Sequence, residues 1–162
     1  MVNGMMYGAK PHKEVMNKFL IALCLMVGLT SAFAQGKQKA GVLYSANITR
    51  VIDGDTVAFE AAWLPEPLKK ELSIRVFGVD TPEKGFRAQC ESENQRGQAA
   101  TAFTKSLIAK SVKREVVLMD WDKYGGRVLG DVILDGQSLC QQLIANGFAR
   151  EYYGEAKTSW CN

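Results

Sequence analysis

Residues 44–162 predict a small α+β domain, a five-stranded OB-fold β-barrel with two main flanking helices. Two observations lead there. Five short stretches alternate apolar with polar residues and are rich in β-branched side chains, and one helical pattern follows the third stretch and another the fifth. That order suits a small closed barrel with helices packed around it. A chain of 162 residues, 47% hydrophobic and 23% charged, suits one soluble globular domain.

The chain begins with a different kind of segment. Met16-Asn17-Lys18 is followed by the uncharged run FLIALCLMVGL (19–29) and then by Thr30-Ser31-Ala32-Phe33-Ala34. A basic start, a short apolar run and a small-x-small end make a secretory signal peptide, with cleavage expected after Ala34. The run is short for a membrane span, which needs roughly 20 apolar residues, and an uncleaved anchor carrying an interaction domain is the alternative reading. Residues 1–34 are therefore read as an extended leader and signal peptide, with Met16 a natural beginning. The protein is expected in a periplasm or outside the cell, with no membrane attachment after cleavage. Residues 35–43 are a polar linker.

Export changes the available chemistry. Lys10, Lys13, Lys18 and Glu14 leave with the leader, so the mature charge is almost balanced and any nucleic-acid binding must come from a local patch. The single histidine, His12, leaves too. That excludes Ser-His-Asp hydrolases, two-histidine ribonucleases and histidine-zinc sites. Cys90, Cys140 and Cys161 are spaced unlike a zinc motif; in an exported protein they read as one disulfide and one spare thiol.

Along the mature chain, Tyr44–Ile52 and Thr56–Ala61 are two strands around the turn Asp53-Gly54-Asp55. Trp63–Lys70, with two prolines, is a loop. Glu71–Val79 is a third strand, with Leu72, Ile74 and Val76 on one face, and Pro82 ends it. Glu83–Ser92 is a polar loop. Gln95–Lys110 carries Ala99, Ala102, Phe103, Leu107 and Ile108 at helical spacing. Glu115–Trp121 and Val128–Leu134 are the fourth and fifth strands, around Asp122–Arg127. Ser138 caps a short helix carrying Leu139, Leu143 and Ile144, which Gly147 ends.

Four carboxylates, Asp53, Asp55, Asp80 and Glu83, fall at the ends of apolar strands, with Arg75 and Arg127 near them in the barrel. Each has a simple structural explanation alone. Asp-Gly is a common hairpin turn, Thr81-Pro82-Glu83 matches a helix start, and Arg75 reads as a solvated strand charge. Their co-occurrence is what needs explaining. Over roughly residues 45–153 the chain resembles the staphylococcal nuclease (thermonuclease) family, through VIDGDTV (51–57), RVFGVDTPE (75–83), AFTK (102–105), DKYGGR (122–127) and NGFA (146–149).

The resemblance implies a hydrolase of phosphodiesters in DNA and RNA with little sequence preference, working as a monomer without a stable protein partner. Asp55, Asp80 and the Thr81 carbonyl are the implied ligands of Ca²⁺, a hard cation suited to oxygen donors. Asp53 stands behind them. Glu83 is the implied general base, and Arg75 and Arg127 the groups that grip the phosphate oxygens. Lys123, Tyr124, Tyr152 and Tyr153 are implied substrate contacts, packing at the chain end being the other reading of the last two. Lys69, Lys70, Lys84, Arg87 and Lys123 offer a diffuse basic rim. Arg75 and Asp80 lie an odd number of residues apart, so convergence requires a bend, expected at Gly78. The family has one glycine between tyrosine and arginine where this chain has Gly125-Gly126, which displaces Arg127 or lets the loop adapt.

Compact members of the family end in a Trp-Cys pair like Trp160-Cys161. With Cys140 assigned to the core face of the second helix, this implies a Cys90–Cys161 disulfide. The rival reading is a catalytically inactive OB-fold module that binds oligonucleotides or protein. The intact set of Asp55, Arg75, Asp80, Glu83 and Arg127 argues against it, since clustered carboxylates repel nucleic acid unless a cation masks them.

Overall fold

A computed structural model describes residues 41–161. The leader, the signal peptide and residues 35–40 of the linker lie outside the described residues. Among those described, no helix is long and apolar enough to cross a membrane.

The strands are β1 (Leu43–Ser45), β2 (Asn47–Asp53), β3 (Thr56–Glu60), β4 (Leu72–Val76), β5 (Val79–Asp80), β6 (Arg114–Trp121), β7 (Arg127–Leu134), β8 (Gln137–Ser138) and β9 (Arg150–Glu151). The helices are α1 (Glu91–Lys110) and α2 (Leu139–Ala145), with a 3₁₀ turn at Gly85–Arg87. The main sheet runs in the order β1-β6-β7-β4-β3-β2. Its two end strands are consecutive in sequence, parted only at Ala46, so one broken strand pairs with β6 at its start and with β3 beyond. Counted as one, β1 and β2 close a five-stranded barrel and leave neither end of the sheet as a free edge. The single strand expected over 44–52 is thus two segments, because one straight strand cannot reach both neighbours.

The core follows from the alternation. Val57, Phe59, Ile74, Val76, Val116 and Val132 are almost wholly buried inside the barrel, and Leu139 and Leu143 of α2 pack against it. The β4–β7 pair is parallel, with Arg75 opposite Leu129 and Val76 opposite Gly130. A Cβ at Gly130 would stand 2.0 Å from the Val117 carbonyl oxygen, so only glycine lets the strands come this close. Ser138 caps α2 by accepting a bond from the Gln141 N–H, and Gly147 follows that helix at φ 72°.

Helix α1 departs from expectation in two ways. It begins at Glu91 rather than Gln95, with Glu91 and Glu93 in the first turn where the helix dipole favours acids. Its buried face is Glu93, Gly97, Ala100, Thr101, Thr104 and Ile108, whereas Ala99 and Ala102 are exposed. The expected apolar stripe is therefore only partly the contact face; much of that face is small and polar. The helix start suggested by Thr81-Pro82-Glu83 does not form, and those residues are irregular.

A disulfide joins Cys90, just before α1, to Cys161, with Cα atoms 5.9 Å apart and a sequence separation of 71. Cys140 is a buried free thiol whose pKa burial, with nearby Asp131, pushes up to about 12, so it is unreactive. A cross-link closing so long a loop restricts the unfolded chain. Replacing Cys90 and Cys161 together by serine is expected to lower the unfolding free energy by about 4 kcal/mol. Denaturant titration checks this, and Cys140→Ala should show a smaller loss with the disulfide intact.

Candidate active site

The site lies where β2, β3, β4 and β5 end at one mouth of the barrel. At the β2–β3 turn, Asp55 points inward and is 2% exposed. Its Oδ1 accepts from Thr56 Oγ1 at 2.9 Å and Arg75 Nη1 at 3.0 Å, and its Oδ2 from the Thr81 N–H at 3.4 Å. A buried carboxylate needs such partners, because desolvation otherwise costs several kcal/mol. The turn itself is held from beneath, where Thr104 of α1 donates to the Gly54 carbonyl at 2.6 Å.

Gly78 takes φ 83° between β4 and β5, a left-handed conformation that glycine adopts without strain. This is the bend that turns Asp80 back toward Arg75: Arg75 Nη2 lies 3.8 Å from Asp80 Oδ1 and donates to the Val79 carbonyl at 3.4 Å. Asp80 is 5% exposed, and its Oδ2 accepts from the Trp160 indole N–H at 3.1 Å. Its Oδ1 is buried and is held by an ion pair with Lys157 Nζ at 2.6 Å.

Asp53 is matched differently. Arg87 Nη2 donates to its Oδ2 at 2.5 Å, and Lys84 Nζ is 3.5 Å from its Oδ1. Two cations of the expected basic rim are thus engaged in internal ion pairs. Lys69 and Lys70 are exposed in the β3–β4 loop, outside the residues that line the cleft.

Glu83 is half-buried, with Arg87 Nε 3.2 Å from its Oε2. Burial raises its pKa above the usual carboxylate range, the Arg87 and Lys157 charges oppose that, and Asp55 and Asp53 reinforce it. Its backbone is held by Glu93, which sequence reasoning missed. Glu93 is buried on α1 and accepts from the Gln89 N–H at 2.7 Å and from the Glu83 N–H at 3.4 Å. Gly97, one turn further on, lets the helix lie against the Pro82–Glu83 backbone. An acid four residues before the small residues that begin at Gly97 is the one sequence signal for this contact, and it reads equally as an ordinary helix start.

Arg127 opens β7, and its Nε pairs with Asp122 across the turn. Gly125 and Gly126 both take φ 71°, and the turn is closed by bonds from the Gly125 N–H to the Asp122 carbonyl and from the Asp122 N–H to the Arg127 carbonyl. The additional glycine is absorbed in the turn, and Arg127 still lines the same cleft as Arg75. Burial pushes the Asp122 pKa up, but the Tyr124 N–H and Arg127 outweigh it and hold Asp122 below the usual carboxylate range.

An open cleft of about 510 Å³ brings together Asp55, Arg75, Glu83 and Arg127, with Lys123, Tyr124, Tyr152 and Tyr153 around them. Tyr124 is 76% exposed and Lys123 stands 5.0 Å from its ring centroid. Tyr153 packs edge-on to Phe77 and against Gly78, so part of its ring is structural. Trp121, 56% exposed, also lines the cleft and was not anticipated. Asp80 faces an adjoining cleft of about 270 Å³ that shares Thr81, Glu83 and Lys157 with the first.

Asp55, Asp80 and Thr81 offer hard oxygen donors, and the buried Asp80 Oδ1 already attracts cations, with Lys157 Nζ 2.6 Å and Arg75 Nη2 3.8 Å away, so these residues fit a divalent ion. Among the described residues the one tight trio of potential ligand side chains is Cys90, Glu93 and Cys161, whose sulfurs are tied in the disulfide and offer no thiolate.

A family model described as "Staphylococcal nuclease homologue" matches residues 73–160. The chain is 30% identical over 146 residues to the thermonuclease of Staphylococcus hyicus, covering 85% of this chain and 81% of that protein. It is 31% identical over 134 residues to endonuclease YncB of Bacillus subtilis (strain 168), covering 76% of this chain and 59% of that one. It is 33% identical over 87 residues to the probable staphylococcal-like nuclease CAN1 of Oryza sativa subsp. japonica, 54% of this chain and 23% of that one.

The α1 contact yields a direct test. A Cβ on Gly97 would stand 2.4 Å from the Glu83 carbonyl oxygen and 2.7 Å from that of Pro82, both backbone atoms. Gly97→Ala is therefore expected to cost about 1–3 kcal/mol through overpacking, despite the better helix propensity of alanine. Denaturant unfolding measures it, and a stability gain would mean that the helix does not press on this loop.

Proposed function

Because the chain belongs to the staphylococcal nuclease family, we propose that it is an exported, Ca²⁺-dependent nuclease hydrolysing phosphodiester bonds of DNA and RNA with little sequence preference. The observation that carries this reading is the meeting of Asp55, Arg75, Glu83 and Arg127 in one open cleft, with Asp80 paired to the same arginine.

A phosphodiester is an anion, and attack by water adds further negative charge to it. Asp55, Asp80 and the Thr81 carbonyl are the proposed holders of Ca²⁺, which supplies masking of that charge and polarisation of the phosphate. Glu83 accepts the proton of the attacking water. Burial raises its pKa, the direction that makes a carboxylate the better proton acceptor. Arg75 and Arg127 offer guanidinium donors to the non-bridging oxygens and stabilise the charge that builds up in the transition state. Both are held by aspartates, Arg75 by Asp55 and Arg127 by Asp122, so their positions are set before substrate arrives. Asp53 anchors Arg87 and Lys84, which in turn face Glu83 and the β2 end. Tyr124 and Lys123, both exposed, suit stacking and phosphate contact along a strand, and Tyr152 and Tyr153 line the same cleft. Export is proposed from the leader read in the sequence.

The first test is digestion of plasmid DNA and of RNA by the purified protein with Ca²⁺ and with chelator. Cleavage of both is expected with Ca²⁺ and loss of both with chelator; undiminished cleavage in chelator would exclude the mechanism.

The second test addresses Glu83. Glu83→Gln is expected to lower turnover about 10²–10⁴-fold while leaving Ca²⁺ binding largely intact. In the unaltered protein the rate should fall as pH drops through a pKa above the usual 4.5, and the substitution should remove that arm. A carboxyl whose folded pKa is raised opposes folding once ionised, so the variant should melt no lower than the parent at neutral pH. An unchanged pH profile would assign the base elsewhere.

A further inference from the structure

We propose that Lys157 is a tethered counter-ion of the carboxylate cluster, holding Asp80 and Glu83 in the metal-free protein and competing with the divalent cation for them. The inference rests on the reading of Asp55 and Asp80 as cation ligands. Lys157 Nζ stands 2.6 Å from Asp80 Oδ1 and 3.9 Å from Glu83 Oε1, and lines both clefts. The oxygen it approaches is buried, and Lys157 is the cation nearest to it. Arg75 bonds Asp55 and lies 3.8 Å from Asp80 Oδ1, Arg87 pairs with Asp53 and with Glu83 Oε2, and Lys84 pairs with Asp53, which leaves Lys157 the nearest cation to Asp80 Oδ1 and the one facing Glu83 Oε1.

Lys157 is not a freely wandering surface lysine, because its segment is fixed on both sides. Before it, β9 pairs with β5 so that Arg150 lies opposite Asp80, and the Tyr152 N–H donates to the Gly78 carbonyl. After it, Arg150 Nη1 donates to the Thr158 and Ser159 carbonyls, and the Arg150 guanidinium stacks 3.7 Å from the Trp160 ring centroid. Trp160 donates its indole N–H to Asp80, Arg96 donates to the Trp160 carbonyl, and the disulfide pins Cys161. The ammonium is thereby delivered to the same carboxylate that Trp160 orients. A divalent ion and an ammonium cannot both sit against Asp80 Oδ1 without repulsion. Lys157 is half-exposed on a flexible stem, so it swings into solvent or toward a substrate phosphate as the ion enters. The result is a site assembled before metal arrives, at the expense of metal affinity.

The test is calorimetric titration of Ca²⁺ into the metal-free full chain and its Lys157→Met variant, with Lys157→Arg and Lys105→Met as controls. Lys105 lies on the exposed side of α1, so its loss removes the same charge at a distance. Lys157→Met is expected to bind Ca²⁺ about tenfold more tightly, the scale of a unit charge acting on a divalent ion from roughly 5 Å through water. Lys157→Arg and Lys105→Met should match the parent, and in an Asp80→Asn background Lys157→Met should give no gain, because the carboxylate it competes for is gone. Equal or weaker binding by Lys157→Met, or a gain that survives Asp80→Asn, overturns the proposal alone. Absence of Ca²⁺ binding in both the parent and Lys157→Met overturns the cation-ligand reading together with it.

Discussion

Burial of Asp55 at the β2–β3 turn is the constraint on which the rest of the site depends. A carboxylate 2% exposed must be given positive charge and hydrogen-bond donors by the fold itself. Arg75 supplies the charge from the neighbouring strand, because β3 and β4 pair with Thr56 opposite Arg75. That pairing places the guanidinium between Asp55 and Asp80, and the bend at Gly78 brings Asp80 within its reach. Removing Arg75 leaves Asp55 buried without its counter-charge, a loss of about 3–5 kcal/mol. The arrangement is costly as stability alone and makes sense as a site poised for cations and anions.

Two supports carry this electrostatic centre, and neither is an ordinary apolar contact. Beneath it, α1 presents glycine, alanine and threonine to the Asp55 turn and the Glu83 loop, so the helix axis can approach closely. Thr104 and Glu93 reach polar backbone that an apolar side chain would leave unsatisfied. Beside it, the segment from Arg150 to Cys161 folds back along β5 and carries Trp160 and Lys157 to Asp80. The disulfide links these supports directly, since Cys90 precedes α1 and Cys161 ends the returning segment. Stability of the chain end and geometry of the carboxylates are therefore coupled.

The cleft divides its work between charge and shape. Acidic groups concentrate at the barrel mouth, while Lys123, Tyr124 and Trp121 rise at the open rim on the β6–β7 side. Under the proposed nuclease reading, that rim offers the stacking and phosphate contacts that every nucleotide shares, which suits cutting with little sequence preference.

The sequence by itself determined the barrel strands, the cap and stop of α2, the bend at Gly78 and the principal acids and arginines of the cleft. Alternation around a dry core is a local, periodic signal, and the residues that carry the chemistry recur as contiguous motifs. Only the tertiary structure decided the inner face of α1, the break at Ala46 and the positions of Glu93, Trp160 and Lys157. Hydrophobic periodicity assumes that a helix packs on an apolar surface, and α1 packs partly on the polar backbone of a site, so Ala99 and Ala102 turned outward. The break at Ala46 comes from closing a ring of strands, which no single strand encodes. Lys157 lies 77 residues from Asp80 in an aperiodic chain end, and its meeting with that carboxylate exists only because β9, Arg150 and the disulfide fold the end back.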